Sequence, residues 1–205
     1  MSKGNLRDDT LYGYKTSKGT HKYSLIPYFL KDAGITNRQC TADYKIKPVR
    51  DKTKRLLGVE KGKRVPKDVI VETWIGISLD EIVRVKEAKE KWTYHRFPLL
   101  ELELKRHQLI KWFEERYPNR SLTKSSCTFC PFHDDKTWRE MKKNDLESWN
   151  DAVDFDKKLR QRKISFKHEQ YLHRSCLPLD EIDFDNIEDK GQYTFLDECD
   201  GMCGV

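Results

Sequence analysis

Val69-Ile70-Val71-Glu72-Thr73-Trp74-Ile75-Gly76-Ile77, followed directly by Ser78-Leu79-Asp80-Glu81, decides how this 205-residue chain is read. The first nine residues are β-branched, aromatic and nearly continuously apolar, the pattern of a buried parallel strand. The next four carry the Ser-x-x-Glu spacing of a capping box, which opens a helix by satisfying its first N–H groups. Strand, tight turn and capped helix make a βα unit, and open α/β sheets bind ligands at the carboxyl ends of such strands. The fold class expected is therefore α/β.

Working outward, residues 1–24 hold few apolar side chains and several turn formers (Gly4, Gly13, Ser17, Gly19), and read as an extended loop. Residues 24–34 read as a short helix or strand ending at Gly34. A helix is expected mainly over 48–57 with Pro48 in its first turn, where a missing N–H costs nothing, and 60–67 is a charged loop. Beyond the decisive strand, 98–102 is a second short apolar segment. Residues 105–117 show helical spacing through Leu109, Ile110, Trp112 and Phe113. Further helices are expected over 138–159 and 169–177.

Hydrophobic residues make up 37% and charged residues 36%, which is polar for a globular protein, yet 5 Trp, 9 Tyr and 9 Phe suffice for a core. No apolar run approaches the roughly 18–20 residues of a membrane helix, and Met1-Ser2-Lys3-Gly4-Asn5 lacks the apolar region of a secretory signal. No membrane association and a cytoplasmic location are expected. Charge is uneven: residues 1–70 carry 17 Lys/Arg against 7 Asp/Glu, and residues 177–205 carry 1 against 9. A basic front suits a phosphate-bearing ligand or nucleic acid, and an acidic tail suits a solvated end or an intramolecular partner. A merely soluble surface explains the charge equally well.

The sharpest local signal is Cys127-Thr128-Phe129-Cys130-Pro131-Phe132-His133. Two thiolates separated by two residues can hold one metal from a single turn, with further ligands from elsewhere. Candidates for those are Cys40, Cys176, Cys199, Cys203 and His133. The same spacing serves a redox dithiol, and plain buried cysteines remain an alternative. His95, His107 and His173 sit beside charged residues and read as surface or packing groups. Lys45, Lys47 and Arg50 follow Cys40 closely and could converge on a phosphate, or line a solvated helix face. Neither GxGxxG nor a Walker A loop is present, since Gly58-Val59-Glu60-Lys61-Gly62-Lys63 has the wrong spacing.

In order along the chain these segments resemble the phosphoadenosine phosphosulfate (PAPS) reductase family of the adenine-nucleotide α-hydrolase superfamily, in a form met in phage genomes. The resemblance runs through Arg38-Gln39-Cys40-Thr41-Ala42-Asp43-Tyr44-Lys45-Ile46-Lys47-Pro48, the strand into Gly76-Ile77-Ser78-Leu79-Asp80-Glu81, and Phe97-Pro98-Leu99-Leu100. It continues through Tyr117-Pro118, Ser125-Ser126-Cys127-Thr128-Phe129-Cys130, Tyr171-Leu172-His173-Arg174-Ser175 and Glu198-Cys199-Asp200-Gly201-Met202-Cys203-Gly204. Two departures stand out. Gln39 occupies the place of the first of two adjacent cysteines in the cluster-bearing reductases. The family also opens with a strand and a Ser-Gly-Gly-type loop whose amides hold phosphates, whereas Gly4-Asn5-Leu6-Arg7-Asp8-Asp9 already resembles the segment after its third strand.

The resemblance implies part of a Rossmann-like (HUP-type) parallel sheet over 1–120, the later part of a nucleotide domain, and a helical, cysteine-bearing region with an acidic tail over 121–205. It implies adenine-nucleotide-dependent sulfur-transfer or reductase chemistry on a PAPS-like substrate. Cys40, Cys127 and Cys130 would hold a 4Fe-4S cluster or zinc, and Lys45, Lys47 and Arg50 would bind the nucleotide. A separate chain is expected to carry the phosphate loop. The other reading is a non-catalytic, metal-stapled module that binds nucleic acid or protein.

Overall fold

Asn5 starts the first helix by accepting the N–H groups of Arg7 and Asp8, and Gly13 ends it at φ 82°. The structure, a computed structural model, describes residues 4–16, 19–21, 25–120, 122, 126–162 and 168–186. Its first elements are α1 (Leu6–Tyr12), β1 (Tyr14–Thr16), β2 (Gly19–His21), β3 (Phe29–Leu30) and β4 (Gly34–Ile35). A π-helical turn over Ala42–Ile46 leads to α2 (Lys47–Leu56), β5 (Val71–Trp74), β6 (Thr93–Arg96), α3 (Pro98–Glu101) and α4 (Arg106–Arg116). The last are α5 (Asp135–Asn144), α6 (Leu146–Gln161) and β7 (Gln170–Tyr171). The architecture is mixed α/β.

Two compact units share the chain, one formed by residues 4–45 with 126–186 and the other by residues 46–122. This differs from the division expected near residue 120. The reason is hydrophobic: Leu11, Ile26 and Tyr28 are buried in one cluster with Trp138, Phe155 and Leu172. The N-terminal segment thus shares its core with the C-terminal helices.

In the first unit, β1 and β2 form an antiparallel pair, and β4-β3-β7 form a three-stranded antiparallel sheet. Residues 1–24, expected as loop, therefore hold a helix and a hairpin. Asp32 and Gly34, at φ 60° and 77°, make the turn between β3 and β4. The helix expected over 138–159 is two helices, because Asp145 ends α5 and its carboxylate accepts the N–H of Ser148 at 3.1 Å to begin α6. Helix α6 places Trp149, Ala152, Phe155 and Leu159 in the core, three or four residues apart as a helical stripe must be.

The helix expected over 169–177 is absent, and its residues form β7 and turns. The cause lies on α6. Asp156, fully buried, accepts the N–H of Leu172 at 3.3 Å and of Leu179 at 3.0 Å, and also takes the Arg160 guanidinium. Backbone amides bound by a side chain cannot enter a helical ladder.

In the second unit, β5 and β6 pair in parallel, Trp74 opposite Arg96, and are the only parallel strands among the described residues. The strand expected over 69–77 is four residues of β5, after which Ile75 and Ile77 turn into the interior. The capping box works differently from expectation. Glu81 bonds back to the Ser78 carbonyl at 2.9 Å, giving a 3₁₀ segment over Leu79–Arg84 in place of an α-helix. Asp80 instead caps α4, accepting the N–H of Arg106 at 2.9 Å, which helps hold its carboxyl below the usual range. Glu81 is buried and paired with Arg84 at 2.5 Å. Helix α2 matches expectation, with Pro48 in its first turn.

Replacing Asp156 tests the account of the first unit. Asp156→Ala leaves two buried N–H groups and a guanidinium without their acceptor, a loss of about 3–5 kcal/mol, while Asp156→Asn keeps part of the acceptor set and should lose less. Urea denaturation measures both, and a loss under about 1 kcal/mol for Ala would contradict this role.

Candidate functional site

Cys40 begins the helical turn that continues as the π segment Ala42–Ile46, a conformation that recurs at functional sites. Two bonds fix that turn in the first unit. The N–H of Gln39 donates to the Leu25 carbonyl at 3.2 Å, and the Tyr44 hydroxyl donates to Asp9 of α1. Burial, with the Asp9 carboxylate adding to it, pushes the Tyr44 phenol well up, so it stays protonated as a donor. Cys40 is half-buried against the hydrophobic core.

The Cys127–Cys130 turn is held from the other side. The N–H of Cys130 donates to the Cys127 carbonyl at 3.0 Å, closing the turn between the two thiols. Within it, Phe129 is buried and stacked on Phe155 of α6 at 4.1 Å, and the Thr128 hydroxyl donates to Asp151 of α6 at 2.9 Å. Asp151 also pairs with Arg7 of α1 at 3.1 Å. Asp134 then caps α5 through the N–H of Thr137.

These two segments meet. Arg38 lies 5.6 Å from the centre of the Phe132 ring, and Cys127 is near enough to Cys40 to add to the upward shift that burial gives its thiol. Burial pushes both thiols up, with Arg38 opposing at Cys40 and Lys45 opposing at Cys127. The result is a pair of thiols, 87 positions apart in sequence, with a cation beside each. Among the described residues, no three His, Cys, Asp or Glu side chains form a metal-binding group.

The remaining candidates are placed as follows. Cys176 has its thiol pushed up by burial and by Asp32, with Lys31 opposing. Cys199 and Cys203 lie outside the described residues. His133 faces the Cys127 carbonyl with Nε2 at 2.9 Å and packs edge-on against Trp138, so it supports the turn. His95 is buried with Nδ1 3.1 Å from the Lys86 carbonyl, and His107 is exposed. Lys45 belongs to the unit of the cysteines, while Lys47 and Arg50 belong to the other, where Arg50 pairs with Glu90 at 2.5 Å.

One buried polar group was not legible as such. His173, read as a surface or packing residue, is buried with Nε2 2.7 Å from Asp135 of α5, which also takes Arg174. Its Nδ1 lies 2.8 Å from the Ser175 hydroxyl and 3.2 Å from the Ser175 N–H, and burial favours the neutral ring. No local pattern in the sequence announces a partner 38 positions away.

No family model, curated protein or solved structure matches the chain.

The His173 geometry sets a pH dependence. Burial is the largest influence and lowers its pKa below the ordinary value of about 6.5. A histidine depressed on folding contributes stability above its unfolded pKa and loses it as pH falls through the folded one. Unfolding free energy should fall from pH 7 to pH 5, and His173→Gln should show less of that fall. Equal slopes for the two proteins would remove His173 from the account.

Proposed function

We propose that this chain is a PAPS-reductase-like protein of phage type, built on part of a Rossmann-like sheet, whose working centre is the thiol site of Cys40, Cys127 and Cys130. The observation that supports this reading is the meeting of the Arg38–Cys40 segment with the Cys127–Cys130 turn, marked by Arg38 over Phe132. The two motifs that carry the family resemblance lie far apart in sequence, and a site of this type needs them side by side.

The donor set suits a soft metal, because thiolates bind zinc or iron–sulfur clusters in preference to hard cations. Cys40, Cys127 and Cys130 would be its protein ligands. Among the described residues these three do not themselves form a metal-holding group, and in this reading Cys176, Cys199 and Cys203 are the further candidate ligands. When bound, a cluster would supply electrostatic stabilisation to a sulfur-centred anion, and zinc a Lewis acid. The chain's own residues do the rest. Lys45 beside Cys127 and Arg38 beside Cys40 place positive charge where an anionic phosphosulfate would approach. Phe129 and Thr128 hold the turn rigid on α6.

Binding of an adenine nucleotide belongs to the same reading, with Lys45, Lys47 and Arg50 as its cations. The chain's own residues include no glycine-rich phosphate loop. In this reading the loop is supplied by a separate chain or by further sequence, and the cations alone give weak, salt-sensitive binding.

Anaerobic purification followed by iron, sulfide and zinc analysis tests the proposal. Bound metal is expected in the wild type, and Cys127→Ser or Cys130→Ser should release most of it, because a hydroxyl replaces thiolate poorly at a soft site. Folded wild-type protein free of all three elements would overturn the metal-bearing reading.

A further inference from the structure

Six cationic side chains between residues 52 and 67 have no partner among the described residues: Lys52, Arg55, Lys61, Lys63, Arg64 and Lys67, all exposed. Only Asp51 and Glu60 carry negative charge between residues 51 and 67. Several cations elsewhere are engaged, as in Arg7 with Asp151 and Asp154, Arg84 with Glu81, and Lys157 with Asp180. The C-terminal end of α2 favours Lys54 and Arg55 through the helix dipole. That cannot explain the four cations of the loop beyond it.

Beside this loop lies an uncovered sheet face. Parallel strands are ordinarily covered on both faces, yet along β5 and β6 the residues alternate between interior and solvent, with His95 buried and Trp74 and Tyr94 at 65% and 59% exposure. Ile70, just before β5, is 70% exposed. Arg96 lies 5.1 Å from the centre of the Trp74 ring and occupies one side of it. Arg96 is held mainly by Glu101 at 2.9 Å and lies 3.7 Å from Glu72, which also accepts the Trp74 indole N–H, so the rings offer stacking surface and the surplus positive charge lies on the loop.

The loop and the face share one end of the sheet. Because the strands are parallel, the loop enters β5 where Trp92 leads into β6, and the N–H of Val71 donates to the Trp92 carbonyl at 2.8 Å. Lys54 of α2 sits 5.9 Å from the centre of the Trp92 ring, and Arg50 pairs with Glu90. The unpaired cations of the loop and the exposed rings of Trp74 and Tyr94 thus belong to one unit, joined through Ile70 just before β5.

We infer that this surface binds single-stranded nucleic acid, its phosphates on the cations of α2 and the 57–67 loop and its bases stacked on Trp74 and Tyr94. Every base offers a flat π face, so stacking on aromatic rings combined with a basic track gives sequence-tolerant binding. An anionic membrane fits less well, because Glu72 and Arg96 stand between the aromatic rings, and buried charge in hydrocarbon is costly. The inference stands apart from the cysteine site, and its test involves neither metal nor thiol.

Fluorescence anisotropy of the full chain with a labelled ~20-nucleotide mixed-sequence single strand decides it, DNA and RNA in separate arms. Binding in either arm is expected, weakening roughly a hundredfold between ~50 and ~200 mM salt for about five phosphate contacts. The triple variant Lys61→Glu, Lys63→Glu, Arg64→Glu should lose at least about tenfold in affinity and flatten the salt slope. Trp74→Ala with Tyr94→Ala should lose about tenfold and leave the slope unchanged. All five positions are exposed, so circular dichroism and melting temperature should stay at wild-type values. Absence of binding at ~50 mM salt, equal affinity for a duplex of the same length, or indifference to the aromatic variant would overturn the inference. So would capture by anionic phospholipid vesicles that oligonucleotide fails to compete.

Discussion

Asp156 is a carboxylate without exposed surface, and burying a charge is tolerable only when every lone pair has a donor. Its donors come from three places: the N–H of Leu172, the N–H of Leu179, and Arg160 one turn along the same helix. The first two lie in a segment that would otherwise have little to fold against. By binding them, α6 dictates where residues 170–182 run, and that placement puts Leu172, Leu179 and Ile182 in the core. Strand β7 pairs with β3 from this position. The three-stranded sheet of the first unit is thus a consequence of one buried acid.

The same helix scaffolds the cysteine site. Phe155 supplies the stacking surface for Phe129, and Asp151 binds both Thr128 and Arg7. Arg7 belongs to α1, whose Asp9 holds Tyr44 and with it the π turn after Cys40. The two halves of the thiol site are therefore referred to one rigid element, directly for Cys127 and Cys130 and through α1 for Cys40. Two segments this far apart in sequence keep a fixed placement only with such support from packed residues behind them.

Much of this was legible in the sequence where the signal was local. The Pro48 helix, the 105–117 helix and the parallel character of Val71–Trp74 follow from nearby residues and appear close to their expected places. The readings that failed did so because a distant partner claimed a local signal. Ser78 and Glu81 read as a capping box for a helix of their own, but Asp80 between them caps α4 at Arg106, 26 positions on. Residues 169–177 have a helical pattern, but Asp156 takes the Leu172 amide from the middle of it. The split at Asp145 was readable in principle, since Asp followed three residues later by Ser148 is an N-cap arrangement. At the site, the Cys127–Cys130 spacing gave the turn. That the Arg38–Cys40 segment meets it depends on two tertiary bonds, from Gln39 and Tyr44, that no periodicity reveals.

The central claim is the convergence of Cys40 on the Cys127–Cys130 turn, and a short bifunctional thiol reagent measures it most directly. Reduced, chelator-treated protein would be cross-linked, digested and mapped by mass spectrometry, with a urea-unfolded sample as the reference. The account predicts a Cys40 cross-link to Cys127 or Cys130 in the folded protein that disappears on unfolding. A folded protein in which Cys40 cross-links only to Cys176, or to no cysteine while Cys127 and Cys130 link to each other, would contradict it.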